Sequence, residues 1–280
     1  MLAGGIAVAG TAGFVESDRP QLTRIDIRLR RLPPEFDGFT IVQLSDFHYE
    51  EHFSIVPIRK GVEIVNRLRP DLIVLTGDFV TVPITEYLSG NAYRFAKNAG
   101  PCAALLSELR APHGVYAVLG NHDGASDPSY VVNALQDHGI PVLMNRSVPF
   151  ERGKARIWLA GVDDVLEGRP DLAAALRPAP QNEAIILLAH EPDFADEVMF
   201  APVDLQLAGH SHGGQIWIPG IGAPWLPQLA RKYPRGLYEL GKLMLYTNLG
   251  LGTIRVPVRL NCPPEITLIT LRTKQQASGN

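Results

Sequence analysis

The chain has 280 residues, 46% hydrophobic and 20% charged, enough apolar mass to bury a substantial core in one large domain or two. A formal charge of -3 argues against a nucleic-acid binder that works through bulk positive charge, although local basic patches stay open. The two cysteines, Cys102 and Cys262, lie far apart and form no CxxC pair, so neither a disulfide framework nor a structural zinc site is indicated.

Residues 1–15 are small, apolar and uncharged, without a basic leader and too few to span a bilayer. They read either as the remnant of a signal or anchor helix or as a tail, and residues 16–20 read as a polar linker. The expected division is therefore a segment 1–20 followed by one domain over 21–273.

Residues 22–30 alternate apolar and charged side chains, with Ile25, Ile27 and Leu29 on one face, which predicts a half-buried strand near a sheet edge. Pro33-Pro34 ends it. Residues 39–44 are more continuously apolar, a deeper strand that runs into Ser45-Asp46-Phe47-His48. Ile58, Val62, Val65 and Leu68 form a helical stripe over 57–68, stopped by Arg69-Pro70. A buried strand at 72–75 then delivers Thr76-Gly77-Asp78. Strand, helix, strand predicts a parallel pair with a right-handed crossover.

Residues 80–100 mix Pro83 and Gly90 with Tyr87, Tyr93 and Phe95, and predict loop and helix over one side of a cleft. A helix is expected at 101–109 with proline in its first turn, then a strand at 114–119 ending in Gly120-Asn121-His122-Asp123. Asp127-Pro128 caps a helix to about His138, with Gly139 as its stop. The second half offers a strand at 157–160, a polar loop at 161–168, a short helix at 171–176 and a strand at 184–189 delivering His190. A short helix at 192–199 follows, and a strand from Leu205 delivers His210 and His212. Closing strands are expected at 236–240, 243–247 and 266–271.

The stretch Leu207-Ala208-Gly209-His210-Ser211-His212-Gly213-Gly214 sets two imidazoles at i and i+2, positions that share a face, between glycines that let the backbone bend. Two such rings aimed at one place make half a metal site. Taken alone, a polar turn with two solvated histidines would account for it. However, five of the eight histidines fall just past predicted strands, together with Asp46, Asp78 and Asn121. In α/β sheets ligands bind beyond the carboxyl ends of strands, so these loops are expected at one rim. Aspartate, asparagine and histidine without cysteine suit Mn, Fe, Zn or Mg. The donors exceed one ion's needs and fit two ions about 3.5–4 Å apart that share a carboxylate.

Asp46-x-His48, Gly77-Asp78, Gly120-Asn121-His122-Asp123, His190 after a strand and Gly209-His210-x-His212 resemble, in order, the five motifs of the calcineurin-like metallophosphoesterase superfamily. That resemblance implies an α/β/β/α sandwich of four layers, two mixed sheets flanked by helices. It also implies roles. Asp46, His48 and His212 would hold the first of two divalent metal ions, Asp78 would bridge, and Asn121, His190 and His210 would hold the second. A metal-bridging hydroxide would attack phosphorus, and His122, unligated, would protonate the leaving oxygen or stabilise charge. One departure stands out. Family members often carry an aspartate three positions after the bridging one, which orients the catalytic histidine, and here that place holds Thr81. Either Asp123 or a distant carboxylate orients His122, or the ring is held less firmly.

His52, His113 and His138 read as solvated or structural. Residues 215–227 are apolar and proline-rich with Trp217 and Trp225, and Arg231, Lys232 and Arg235 follow, a pattern that suits a membrane interface, an amphiphilic substrate, or a rigid loop packed on the domain. This order, with Gly250-Leu251-Gly252 and Asn261-Cys262-Pro263-Pro264-Glu265, is similar to a bacterial branch resembling UDP-2,3-diacylglucosamine pyrophosphatases. The branch implies a phosphodiester or pyrophosphate bond in a lipid-linked substrate, peripheral membrane contact, and a place at the cytoplasmic membrane face or outside the cell. Arg255 and Arg259 are open between phosphate contact and surface or interstrand roles. The competing readings are a general phosphomonoesterase or nuclease, and a metal-binding scaffold without turnover. No HExxH helix supports a metalloprotease.

Overall fold

The structure, a computed structural model, describes residues 18–50, 54–254 and 256–274. The apolar tail 1–15, His52 and Arg255 lie outside the described residues. Eleven strands form two sheets among the described residues. The first contains β1 (Gln21–Leu29), β2 (Thr40–Leu44), β3 (Leu72–Thr76), β4 (Val115–Val118) and β11 (Glu265–Thr273), in the order β1-β11-β2-β3-β4. The second contains β5 (Arg146–Arg152), β6 (Ala155–Gly161), β7 (Ala184–Leu188), β8 (Leu205–Ala208), β9 (Gly236–Leu240) and β10 (Leu243–Thr247), in the order β5-β6-β7-β8-β10-β9.

Both sheets are mixed. β2, β3 and β4 run parallel, as expected, and β11 returns to the first sheet, antiparallel to β2 and parallel to β1. In the second sheet β6, β7, β8 and β10 are parallel, with β5 and β9 antiparallel at the edges. The period-2 alternation of strand side chains builds the layers. Ile41, Leu72 and Val74 face Ile157, Ile186 and Leu207 across the inter-sheet core. Their chain neighbours Val42, Ile73 and Leu75 face α1 (Ile55–Leu68), α3 (Ala99–Leu106) and α5 (Pro128–Asp137) on the outer side. On the far side Trp158, Ile185 and Leu245 pack on Ala175, Ala195 and Val198 of two short helices. This is the four-layer α/β/β/α sandwich.

The sequence reading missed β5 and the short helix α4 (Asn121–Ala125), which carries two of the site residues. β5 holds Pro149, which breaks a strand pattern; it fits because β5 pairs with β6 alone and the missing N–H sits on an edge strand. The cleft segment resolves into α2 (Ile84–Leu88) and a 3-10 helix over Ala92–Asn98. Asp127 caps α5 through its carboxylate and the Tyr130 N–H, as the sequence suggested. Stacking the sheets brings the carboxyl ends of β2, β3 and β4 against those of β7 and β8.

Candidate metal centre

The pairing of β2 with β3 continues past both strands. Asp46 N–H donates to Gly77 O at 2.9 Å and His48 N–H to Asp78 O at 3.0 Å, so the two acidic turns are locked together. From the other sheet, Gly209 N–H donates to His190 O at 2.9 Å. Asp46, His48, Asp78, His210 and His212 all have positive φ, between 43° and 66°. Each such residue costs on the order of 1–3 kcal/mol, and burial of core side chains at roughly 1.5–3 kcal/mol apiece offsets it. Gly77 is needed for contact: a Cβ there would sit 2.7 Å from the His190 ring and 2.6 Å from Gly120 N.

These turns gather the expected residues. Asp46, His48 and His212 bring one ligand atom each to within 4.8 Å of one another, as do Asp78, His190 and His210, and His48, Asp78 and His122. Asp78 Oδ2 lies 3.5 Å from His48 Nε2 and 3.2 Å from His190 Nε2, between the two groups. Asp46 Oδ1 lies 3.3 Å from His212 Nε2. Asn121 Oδ1, also at this rim, is buried with no hydrogen-bond partner. His210 and His212 join different groups, the division that the family resemblance implied and that the i, i+2 spacing taken alone did not. Both sit in left-handed backbone separated by Ser211, in a turn rather than a strand, so the i and i+2 rule fails and each ring joins a different group.

Main-chain groups set the rings. Thr76 O holds His190 Nδ1 at 2.6 Å and Gln228 O holds His210 Nε2 at 2.8 Å, which turns His190 Nε2 and His210 Nδ1 inward. His122 Nδ1 accepts from Val82 N–H at 2.9 Å. An amide N–H can only donate, so in neutral His122 the proton resides on Nε2. Among the described residues the ring of His122 is held by Val82 N–H and by no carboxylate. Asp123 accepts from the N–H groups of Asp78, Phe79, Val80 and Gly120 at 2.9–3.2 Å and so shapes the Asp78 turn. Thr81 Oγ1 has no partner, and the amide one residue on does the work of the missing aspartate.

The charges define what the cluster can hold. Burial raises the Asp46 and Asp78 carboxyls, but surrounding imidazoles, foremost His212 for Asp46 and His190 for Asp78, outweigh it and hold both below the usual carboxylate range. Burial lowers His48 and His122, and takes His210 down to about 4. Burial also opposes charge on His190, yet Asp78 and Asp46 push it well above the ordinary histidine value. The cluster thus keeps Asp46 and Asp78 ionised beside imidazoles, His48, His122 and His210, whose burial opposes a charge. Together with the orphaned Asn121 oxygen, that is a donor set suited to divalent cations.

Other sequence candidates have different places. His113 packs between Phe39 and Phe150, and His138 Nδ1 meets Ala134 O at a helix end. Arg259 is fully buried and directed to main-chain carbonyls, so it does not face a phosphate. The segment after His212 is tied down, as a rigid loop would be. Trp217 N–H donates to Leu260 O, and Asp193 receives the N–H groups of Arg231, Lys232 and Tyr233. Even so, Ile221 and Trp225 remain 78% and 48% exposed.

Residues 39–214 match the family model of the calcineurin-like phosphoesterases. The uncharacterised metallophosphoesterase YkuE of Bacillus subtilis is 35% identical over 279 residues, covering 98% of this chain and 94% of that one. The phosphodiesterase YaeI of Escherichia coli is 31% identical over 239 residues, 83% of this chain and 82% of that one. Among solved structures, TT1561 of Thermus thermophilus shares the fold with a TM-score of 0.51 at 15% identity, covering 76% of this chain and 90% of that one. The chain belongs to the calcineurin-like phosphoesterase family, as a metal-dependent hydrolase of phosphoester bonds. Among the described residues no helix is long and apolar enough to cross a membrane.

Proposed function

We propose that the chain is a two-metal phosphodiesterase or pyrophosphatase that works on a substrate with an apolar portion. The observation that carries the metal count is Asp78, whose Oδ2 lies between the Asp46–His48–His212 and Asp78–His190–His210 groups. Asp46, His48 and His212 would hold one ion and Asn121, His190 and His210 the other, with Asp78 available to both. Mn, Fe and Zn suit these donors best and Mg is also compatible. Divalent ions there would supply Lewis acidity toward water and the phosphoryl oxygens.

The chain's own groups do the remaining work. Val82 N–H fixes His122 with Nε2–H free, so Nε2 can donate a hydrogen bond to a phosphoryl oxygen or to the leaving oxygen as charge develops there. Asp78 Oδ1 accepts from His122 N–H at 2.9 Å, tying the position of that ring to the bridging carboxylate. Asp123 keeps the Asp78 turn rigid.

Exposed apolar side chains support the amphiphilic substrate. Ile84, Tyr87 and Leu88 follow closely on Val82, Ile221 and Trp225 lie between His212 and Gln228, and Val256 adjoins Gln215, whose amide donates to Ile254 O. Arg235 lies over the Trp217 ring at 4.8 Å, a basic and aromatic pairing suited to the interface of an anionic bilayer. We therefore infer peripheral contact with a bacterial membrane, from its cytoplasmic face or from outside the cell. A substrate panel tests this reading. With Mn²⁺, bis(p-nitrophenyl) phosphate is expected to turn over at least tenfold faster than the monoester. A lipid-linked pyrophosphate should be cleaved faster in vesicles than its deacylated analogue. Monoester turnover alone moves the assignment to a phosphatase, and metal binding without any turnover to a scaffold.

A further inference from the structure

Arg259 lies beyond the stretch that matches the family model, yet it is buried against the centre. Its Nη1 donates to Leu249 O at 2.8 Å and Cys262 O at 3.0 Å, its Nε to Gly252 O at 3.2 Å, and its Nη2 to Gly250 O at 3.1 Å and again to Gly252 O. Nη2 also meets His212 Nδ1 at 3.2 Å. The five N–H bonds of the guanidinium are taken by these five contacts to main-chain carbonyls, and it has no lone pair to accept with, so it meets the His212 ring by packing.

The turn it grips seats Asp46. Leu251 N–H donates to Ser45 O at 2.9 Å and Gly252 N–H to Asp46 O at 2.7 Å. Gly250 has φ +73°, and a Cβ there would stand 2.6 Å from Asp46 Cβ. One side chain therefore braces the turn that seats Asp46 and packs against His212, two residues of the same group. Both residues have left-handed backbone that surrounding contacts must hold. The other group is held by other means: His190 by Thr76 O, His210 by Gln228 O, and the Asp78 turn by Asp123.

We propose that Arg259 is a positioning residue for one half of the centre, setting the geometry and affinity of the Asp46–His48–His212 site far more than those of the Asp78–His190–His210 site, to which Asp46 is linked by the His210 N–H at 3.0 Å. This rests on the two-metal reading above. It gives the segment 249–262 a role in the centre although it supplies no ligand.

The test is Mn²⁺ binding to wild type and Arg259→Lys, followed by calorimetry and by electron paramagnetic resonance. Wild type should take two ions per chain with an exchange-coupled spectrum. Arg259→Lys should bind one ion within twofold of the wild-type affinity and the other roughly tenfold or more weakly, as loss of a ligand-orienting partner costs. Its spectrum should be mononuclear at ion concentrations that fill both wild-type sites, and kcat should fall far more than KM changes. Equal weakening of both ions, or unchanged affinity for both, overturns the proposal. A single ion in wild type overturns the two-metal reading before any substitution is made. If Arg259→Lys does not fold, Zn²⁺ is titrated into wild type labelled with ¹⁵N-arginine. The slowest-exchanging guanidinium signal should move with one equivalent only; movement with neither, or equally with both, overturns the proposal.

Discussion

At the scale of single residues, the centre depends on which ring nitrogen faces inward, and main-chain groups decide that. Thr76 O, Gln228 O and Val82 N–H orient His190, His210 and His122, and none of them leaves a mark in the sequence. The side chains at the strand ends were legible because aspartate, asparagine and histidine recur there; their partners were not. Since Val82 N–H occupies the Nδ1 lone pair and leaves the neutral ring's proton on Nε2, His122 has no lone pair to offer an ion, and His122→Ala should keep both ions and lose roughly 10²–10⁴-fold in kcat. Metal analysis beside steady-state kinetics checks this, and metal loss would place His122 among the ligands.

A second residue-scale prediction concerns Asp164, in the loop after β6. Its carboxyl meets that of Glu191, and Asp164 Oδ2 and Glu191 Oε1 have no protein donor. Burial raises both carboxyls above their ordinary values. A group raised on folding contributes its full stability below the unfolded value and loses it as pH rises through the folded one. Asp164→Asn replaces a shared proton with a permanent N–H donor. Metal-free Asp164→Asn is thus expected to melt about 2–4 °C above wild type at pH 8 and to show a smaller gain near pH 5. An equal shift at both pH values, or a loss, would count against the shared proton.

At the scale of elements, parallel strands were the most legible feature. β2, β3, β7 and β8 are continuous apolar runs because helices or a second sheet cover both faces. β5 was hidden by Pro149, which only its edge position explains, and nothing local tells that β11 returns to the first sheet. The His210–His212 turn misled because strand periodicity does not survive left-handed backbone. The turn at Gly250 carries its own prediction. Gly250→Ala would press a methyl against Asp46 in a backbone region that alanine avoids, and should cost about 1–3 kcal/mol in thermal unfolding. Unchanged stability would mean that the turn is looser than its contacts imply.

At the scale of the whole molecule, two stacked sheets bring five loops from both halves of the chain to one rim, so neither half holds a complete centre. Leu88, Ile221 and Trp225 are exposed apolar side chains. Replacing Ile221 and Trp225 with serine should weaken sedimentation with anionic vesicles severalfold while leaving turnover of a small soluble diester within twofold. Equal sedimentation of wild type and variant would remove the membrane contact.

The central claim is that one carboxylate joins two metal sites into a single hydrolytic unit. Its most direct test pairs a metal count with Mn²⁺-dependent hydrolysis of bis(p-nitrophenyl) phosphate in wild type and Asp78→Asn. Two ions and diester turnover in wild type, with affinity for both ions lowered and turnover down by roughly 10³-fold or more in the variant, is the predicted result. A variant that keeps both ions and its turnover would contradict the claim.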